Sequence, residues 1–543
     1  MKNQFKLKVL TTLMLALSAT QAQAIAIEGE SVKGSFDNTI SIGIGVRTKN
    51  PSCNDILISP AGVGAPGACT LVSSSLGDQG DLNYKRGDAF TTYLKGTDEL
   101  LLKFPEGVKF MGRVSWLKDF SSTSTTGYVS AGNPAGVASQ TDAAHSQLSF
   151  KARLLDFWVS KDMSFGDQNA RLRVGNQVVS WGESLFIPGG INQTNAIDYM
   201  RLSQPGTQLK EVFLPAPIIS FASGLGHGFN FETYVQANWN PSYFPPTGSY
   251  WSVVNGLGSG STAYGLNTQR PGHGNQYGAA LRWQPEGTQA NIGFYAMNYT
   301  DKTPNLSLDP ARLGWVYLEN RQLYGISANV PVGDWAFGSE VSYRPKDALS
   351  LNPDSGCANN NNNCYVDSKK IQAHLTAILS VTPGGNYSGL LNLLGAQTAT
   401  LMAEAVMIKY PGLKQTYNGD QIGAGAWGWG MQTNPLGVPE SAGTSTSGGF
   451  NFDFSWVYDG TVVPGWQMIP EVYFFDATTG RTPNIMAPFM QGAKSSNMIL
   501  TFVKNPATWQ FGVNYAKFWG GSNLLDQPYA DRDFVGAYAS FNF

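Results

Sequence analysis

The chain has 543 residues, 36 basic against 38 acidic for a formal net charge of −2, with 62 glycines, 12% aromatic residues and only 14% charged ones. An ordinary soluble domain carries about 25% charged residues, so a large soluble surface is poorly supplied here, and the near-neutral balance offers no basic excess for nucleic acid. After the first 24 residues no stretch is long and apolar enough to supply the roughly 20-residue helix that crosses a bilayer.

The front end reads as an export address. "MKNQFKLKVLTTLMLALSATQAQA" places Lys2, Lys6 and Lys8 before an apolar run from Val9 to Ala19 and then Ala22-Gln23-Ala24. That order predicts a secretory signal peptide over 1–24, cleaved after Ala24, and a mature domain over 25–543. In an oxidising compartment the four cysteines fall into two close pairs, Cys53 with Cys69 and Cys357 with Cys364, which predicts two local disulfides. No histidine or further cysteine pair stands at zinc-ligand spacing, so no metal or other cofactor is expected. "GVGAPG" at Gly62 to Gly67 matches a dinucleotide fingerprint in letters only, because no strand precedes it and no helix follows.

The body of the chain repeats one pattern. "TISIGIGVRT" sets Ile40, Ile42, Ile44 and Val46 against Thr39, Ser41, Gly43, Gly45 and Arg47. "GFNFETYVQANWN", "FNFDFSWVYD" and "TWQFGVNYAK" alternate in the same way, with large aromatics at the ends of the runs. Period-2 alternation is strand periodicity, and aromatic ends suit the girdles at two bilayer interfaces. Asp98 stands out of place, in phase with Leu100 and Leu102; either its strand begins later or a bulge resets the phase.

Short turns near Pro105, Gly166, Gly226, Pro285, Pro331, Thr382, Pro464 and Pro506 alternate with polar connections such as 49–90, 121–146, 241–274, 346–368 and 411–448. Eight short turns flanked by strands, plus one strand at each end, predict an all-β fold: a closed, up-and-down antiparallel transmembrane β-barrel of about 18 strands. The short turns are periplasmic and the long loops extracellular. The expected address is the outer membrane of a Gram-negative bacterium, with outer-membrane lipid around the wall. "DFVGAYASFNF" keeps Val535, Ala537, Ala539, Phe541 and Phe543 on one face, as a last strand pairing with the first requires. Phe541 and Phe543 resemble the terminal signal that barrel assembly machinery reads.

From Arg171 to Pro241 the chain reads "RLRVGNQVVSWGESLFIPGGINQTNAIDYMRLSQPGTQLKEVFLPAPIISFASGLGHGFNFETYVQANWNP", and upstream stands "GDLNYKRGDAFTTYLKGTDELLLKF". These stretches resemble the family of proteobacterial proteins called domain of unknown function 1302, and the likeness extends over the mature chain. The resemblance implies an outer-membrane barrel. It also implies a periplasmic lipoprotein-like partner protein, an inner-membrane permease, and a role in handling lipids, esters or steroids. It brings no catalytic residues.

Inward-facing positions taken from the alternation give a lopsided lumen. Lys109, Arg113, Lys151, Arg153, Arg171 and Arg173 come early, and Glu232, Glu340, Glu404 and Asp453 come late, with Arg282 and Arg344 as exceptions. Walls of opposite sign set up a transverse field that orients polar solutes; the alternative is that neighbouring charges pair and fill the lumen. "WGESLFIPGGINQTNAIDYMRLSQPGTQLKEVF" carries an apolar run, Gly189-Gly190 for a sharp bend, and Trp181, Glu183, Asp198 and Arg201. It is the candidate loop for folding inward as a constriction, with an ordinary outer loop as the alternative. His145, His227, His273 and His374 are scattered, His374 within a strand as a lumen-lining residue, and neither a G-x-S-x-G elbow nor H-E-x-x-H occurs. The reading is therefore not an enzyme but an outer-membrane channel for a small-molecule substrate of amphipathic or hydrophobic character. A surface adhesin, receptor or envelope-assembly component is the second reading, and an outer-membrane hydrolase the third.

Overall fold

The computed structural model describes residues 25–51, 77–126, 140–202, 204–272, 274–353, 357–425, 442–504, 507–522 and 526–543. The expected signal peptide over 1–24, Cys53, Cys69, "GVGAPG" and His273 lie outside the described residues.

Eighteen long strands form one antiparallel sheet. The first nine are β1 (Lys33–Arg47), β2 (Ala89–Lys103), β3 (Val108–Asp119), β4 (Phe150–Phe165), β5 (Gln168–Gln177), β6 (Ala216–Gly226), β7 (Phe229–Gln236), β8 (Gln276–Trp283) and β9 (Asn291–Tyr299). The rest are β10 (Arg321–Val332), β11 (Trp335–Ser350), β12 (Tyr365–Val381), β13 (Thr398–Lys409), β14 (Thr446–Asp459), β15 (Trp466–Thr479), β16 (Ala493–Lys504), β17 (Trp509–Gly520) and β18 (Phe534–Asn542). Each pairs with its sequence neighbours. The sheet closes where β18 pairs with β1, from Thr39 opposite Asn542 to Arg47 opposite Phe534. Closure gives every barrel strand two partners, which is how a sheet crosses lipid without bare backbone. A short strand, Ile25–Glu28, covers the end of β1 that β18 does not reach.

Tight turns need backbone that side chains resist. Gly333, at φ +60°, turns β10 into β11 within two residues. The turn between β12 and β13 is looser and carries the helix Ser388–Leu394. Nine longer connections leave the opposite rim. One holds the Cys357–Cys364 disulfide, with sequence separation 7, and another ends with the helix Asp142–Ser149 that includes His145.

Alternation assigns the faces. Val159, Val174, Ile219, Phe294, Val341, Leu375 and Val513 are all exposed on the outer wall. Ser41 and Ser540, joined hydroxyl to hydroxyl at 2.7 Å, face inward. Ile42, Phe231 and Phe511 share the outward phase of their strands.

Asp98 corrects both explanations offered for it. β2 runs through it without interruption, and the only irregularity against β1 lies at Gly45/Val46, far from it. Asp98 does face outward, directly opposite Asn38, whose side-chain amide donates to its carboxylate. The pair gives the Asp98 carboxylate a donor on a wall of Phe36, Ile40, Leu100 and Leu102, though the Asn38 Oδ1 has no hydrogen-bond partner.

Candidate functional site

The connection from β5 to β6, residues 178–215, does not stand up from the rim. It crosses the lumen and is pinned to wall strands on several sides. Glu340 on β11 takes the Glu183 N–H at 2.6 Å and the Ile191 N–H at 2.9 Å. Glu404 on β13 takes those of Phe186 at 2.7 Å, Ile187 at 2.9 Å and Leu185 at 3.3 Å. A carboxylate accepting several backbone N–H groups is a strong, charge-assisted anchor. Gly190 is required here, because a Cβ on it would overlap the Glu340 carboxylate.

His374 on β12 lies between the anchors. Its Nδ1 is 2.7 Å from Glu404 Oε1, and its Nε2 is 2.9 Å from Gln372 Nε2. The ring is thus clamped between the Glu404 carboxylate at Nδ1 and the Gln372 side-chain amide at Nε2. The same amide reaches the Pro188 carbonyl at 3.1 Å. Glu340, His374 and Glu404 are each 1% exposed. This corrects the expectation that they line open water: they face inward and are consumed by the loop.

The remaining loop contacts complete the span. Trp181 Nε1 donates to Glu232 on β7 at 2.6 Å while its ring packs on Tyr234 and Tyr295. The Glu183 carboxylate accepts from Asn329 on β10 at 2.9 Å. Asp198 pairs with Arg153 on β4 at 2.8 Å and caps Arg201 N at 3.0 Å, and the Arg201 guanidinium lies 3.8 Å from Glu211. Glu211 holds Lys95 on β2 at 2.5 Å, and Tyr93 donates to the Pro205 carbonyl at 2.5 Å. Trp181, Glu183 and Asp198 thus fix the loop to the wall, while Arg201 pairs within the loop, with Glu211.

The front-wall cations do face inward, but acids that the alternation did not flag accompany them. Lys109 and Arg171 share Asp162, at 2.7 and 2.6 Å, and Arg113 lies between Glu99, at 2.8 Å, and Asp156. The bulge at Gly112/Val114 swings Asp156 inward to make that pair. Arg173 stacks over Trp158 at 4.2 Å, and Lys151 sits over the Tyr243 ring at 3.9 Å. The front wall is therefore weakly positive, which corrects the picture of a bare cationic face.

Across the barrel, Asp453 on β14 and Glu471 on β15 face the lumen beside each other, and neither forms an ion pair among the described residues. Ile378, Met402, Ile469, Ile499 and Val503 share the inward phase around them. Sequence reasoning missed Glu471 and this apolar strip. In-phase counting from Tyr473 along β15 would have found Glu471 and Ile469.

The family model described as "Protein of unknown function (DUF1302)" matches residues 6–543. No curated protein matches the chain. Among solved structures, Pseudomonas aeruginosa OpdK with vanillate is 10% identical, with 94% of this chain and 98% of that one covered and a TM-score of 0.39. Acinetobacter baumannii OccAB1 is 8% identical over 96% and 98%, TM-score 0.44. Salmonella typhi OmpF in complex with daunomycin is 9% identical over 96% and 100%, TM-score 0.38.

Proposed function

This chain belongs to the DUF1302 family, and we propose that it serves as an outer-membrane channel in a Gram-negative bacterium, passing small amphipathic molecules through a lumen narrowed by its own loop. The observation that carries the reading is residues 178–215 pinned across the interior by Glu340 and Glu404. A protein built only to display outer loops has no need to fill its lumen with one of them.

The walls suggest the cargo. A weakly cationic face with Arg171 and Arg173 stands across from an apolar strip with Asp453 and Glu471, so a solute with an oily body and one charged or polar end finds a partner for each part. Lipid-, ester- or sterol-derived acids fit that description. Onward transfer would fall to a periplasmic lipoprotein-like partner protein and an inner-membrane permease.

The test is uptake into liposomes carrying the purified protein, comparing a medium-chain carboxylate with a neutral sugar of similar size. The carboxylate should enter faster, and Arg171→Glu with Arg173→Glu should remove the preference. Equal rates in both proteins would refute the assigned cargo.

A further inference from the structure

Beside the pinned loop, toward the long-loop rim, lies a cavity of about 80 Å³. Gly189 and Gln193 of the loop wall it, with Lys302 and Asn484 from two other connections, Arg344 from β11 and Lys370 from β12. Water occupies about 30 Å³ per molecule in the liquid, so the space suits a group of a few heavy atoms.

Its charges do not balance locally. Three cations line it, Lys302, Arg344 and Lys370, against two carboxylates, Asp301 and Asp347. Asp347 is taken by Arg344 at 3.2 Å and Lys370 at 3.6 Å, and Asp301 lies 3.8 Å from Arg321. Lys302 is left over. It is 1% exposed, and its Nζ reaches only the neutral oxygens of Asn240, at 3.2 Å, and Gln276, at 3.4 Å. Arg344 is 2% exposed and spends both terminal nitrogens, on Asp347, the Gly190 carbonyl and Gln193, while its Nε has no partner. Asp301, its neighbour in the chain, compensates the Lys302 ammonium in part but makes no ion pair with it, and burial pushes the amine down to about 7.

We propose that this cavity binds a small oxyanion, a carboxylate or a phosphate-sized group, through Lys302 Nζ and Arg344 Nε. The anion supplies the missing counter-charge and the missing acceptor together. Because Arg344 also holds Gly190 and Gln193, occupancy ties the anion to the pinned loop. The site exists whether or not solutes cross the barrel, so its test stands apart from that of transport.

The site also predicts a pH dependence. An amine that has shed its proton must regain it to pair with an anion, so affinity falls as pH rises above 7. Asp301, pushed up to about 7 by burial, ionises over the same range and adds repulsion of the same sign. The other charged groups around the cavity, Arg321, Arg344, Asp347 and Lys370, are engaged in the ion pairs given above.

Calorimetric titration of the detergent-solubilised protein tests this, with sodium acetate, sodium phosphate and methylammonium chloride as probes. At pH 6.5 at least one of the two anions should give saturable heat, and methylammonium none. Acetate alone assigns a carboxylate site and phosphate alone a phosphate site. Lys302→Met should weaken binding at least tenfold while Lys302→Arg retains it, with the heat-dependent gel shift of the folded barrel reporting that both variants fold. Acetate affinity should drop more than tenfold from pH 6.5 to 8.5, and Asp301→Asn should keep most of that drop. Absence of saturable heat with either anion, or unchanged binding by folded Lys302→Met, overturns the assignment.

Discussion

Replacing Glu404 by glutamine tests the anchor with little change of shape. The carboxylate accepts Phe186, Ile187 and Leu185 N–H groups and the His374 ring N–H. The amide keeps one oxygen and turns two donors toward groups that are themselves donors. At least two charge-assisted bonds are lost, each worth about 1.5 kcal/mol at the low end, so the loop should be held less tightly by about 3 kcal/mol. With 1.4 kcal/mol per factor of ten, local opening becomes roughly 100-fold more frequent. Hydrogen–deuterium exchange in detergent, read by mass spectrometry over residues 182–191, measures this directly. Exchange there should rise by about two orders of magnitude, while peptides from β15 to β17 stay as they are. Unchanged exchange across 182–191 would refute the anchoring role.

Three further outcomes follow from other parts of the molecule. Arg532 is fully buried at the long-loop rim, paired with Asp78 and Asp81 and donating to the Ser252 carbonyl at 2.6 Å; Arg532→Ala leaves buried carboxylates uncompensated and should cost about 3–5 kcal/mol, seen as early protease cleavage near residues 250 and 530. Asp98→Leu on the outer wall should raise the unfolding free energy in lipid vesicles by about 1 kcal/mol, since a polar group leaves the apolar band; a decrease would show that the pair with Asn38 has structural value. Removing the Cys357–Cys364 link by Cys357→Ser with Cys364→Ser opens only a short loop. It should destabilise that connection by about 2 kcal/mol, measured as faster local exchange with the barrel unchanged.

The strands and both kinds of connection were legible because a membrane barrel writes its faces at period 2 and its two rims in loop length. Closure was legible in the last strand, whose Val535, Ala537, Ala539 and Phe541 keep one phase. Register was not. Phase says that Arg113 faces inward, but only pairing, with a bulge, brings Glu99 and Asp156 to it. The same gap left Asp98 without Asn38. Glu340 and Glu404 were placed on the correct face and given the wrong task, because their partners are backbone N–H groups, which side-chain patterns do not record. The glycines at 182, 189 and 190 were the one local hint that a chain passes close to the wall. Nothing in the pattern marks Lys302, whose isolation depends on which distant segments meet around it.

Single-channel recording of the intact protein in a planar bilayer tests the central claim most directly. The proposed channel, its lumen crossed by a pinned loop, predicts small, steady, ohmic steps that grow and turn noisy in the Glu340→Gln, Glu404→Gln double variant. Protein that inserts and folds yet carries no current in either form would contradict it.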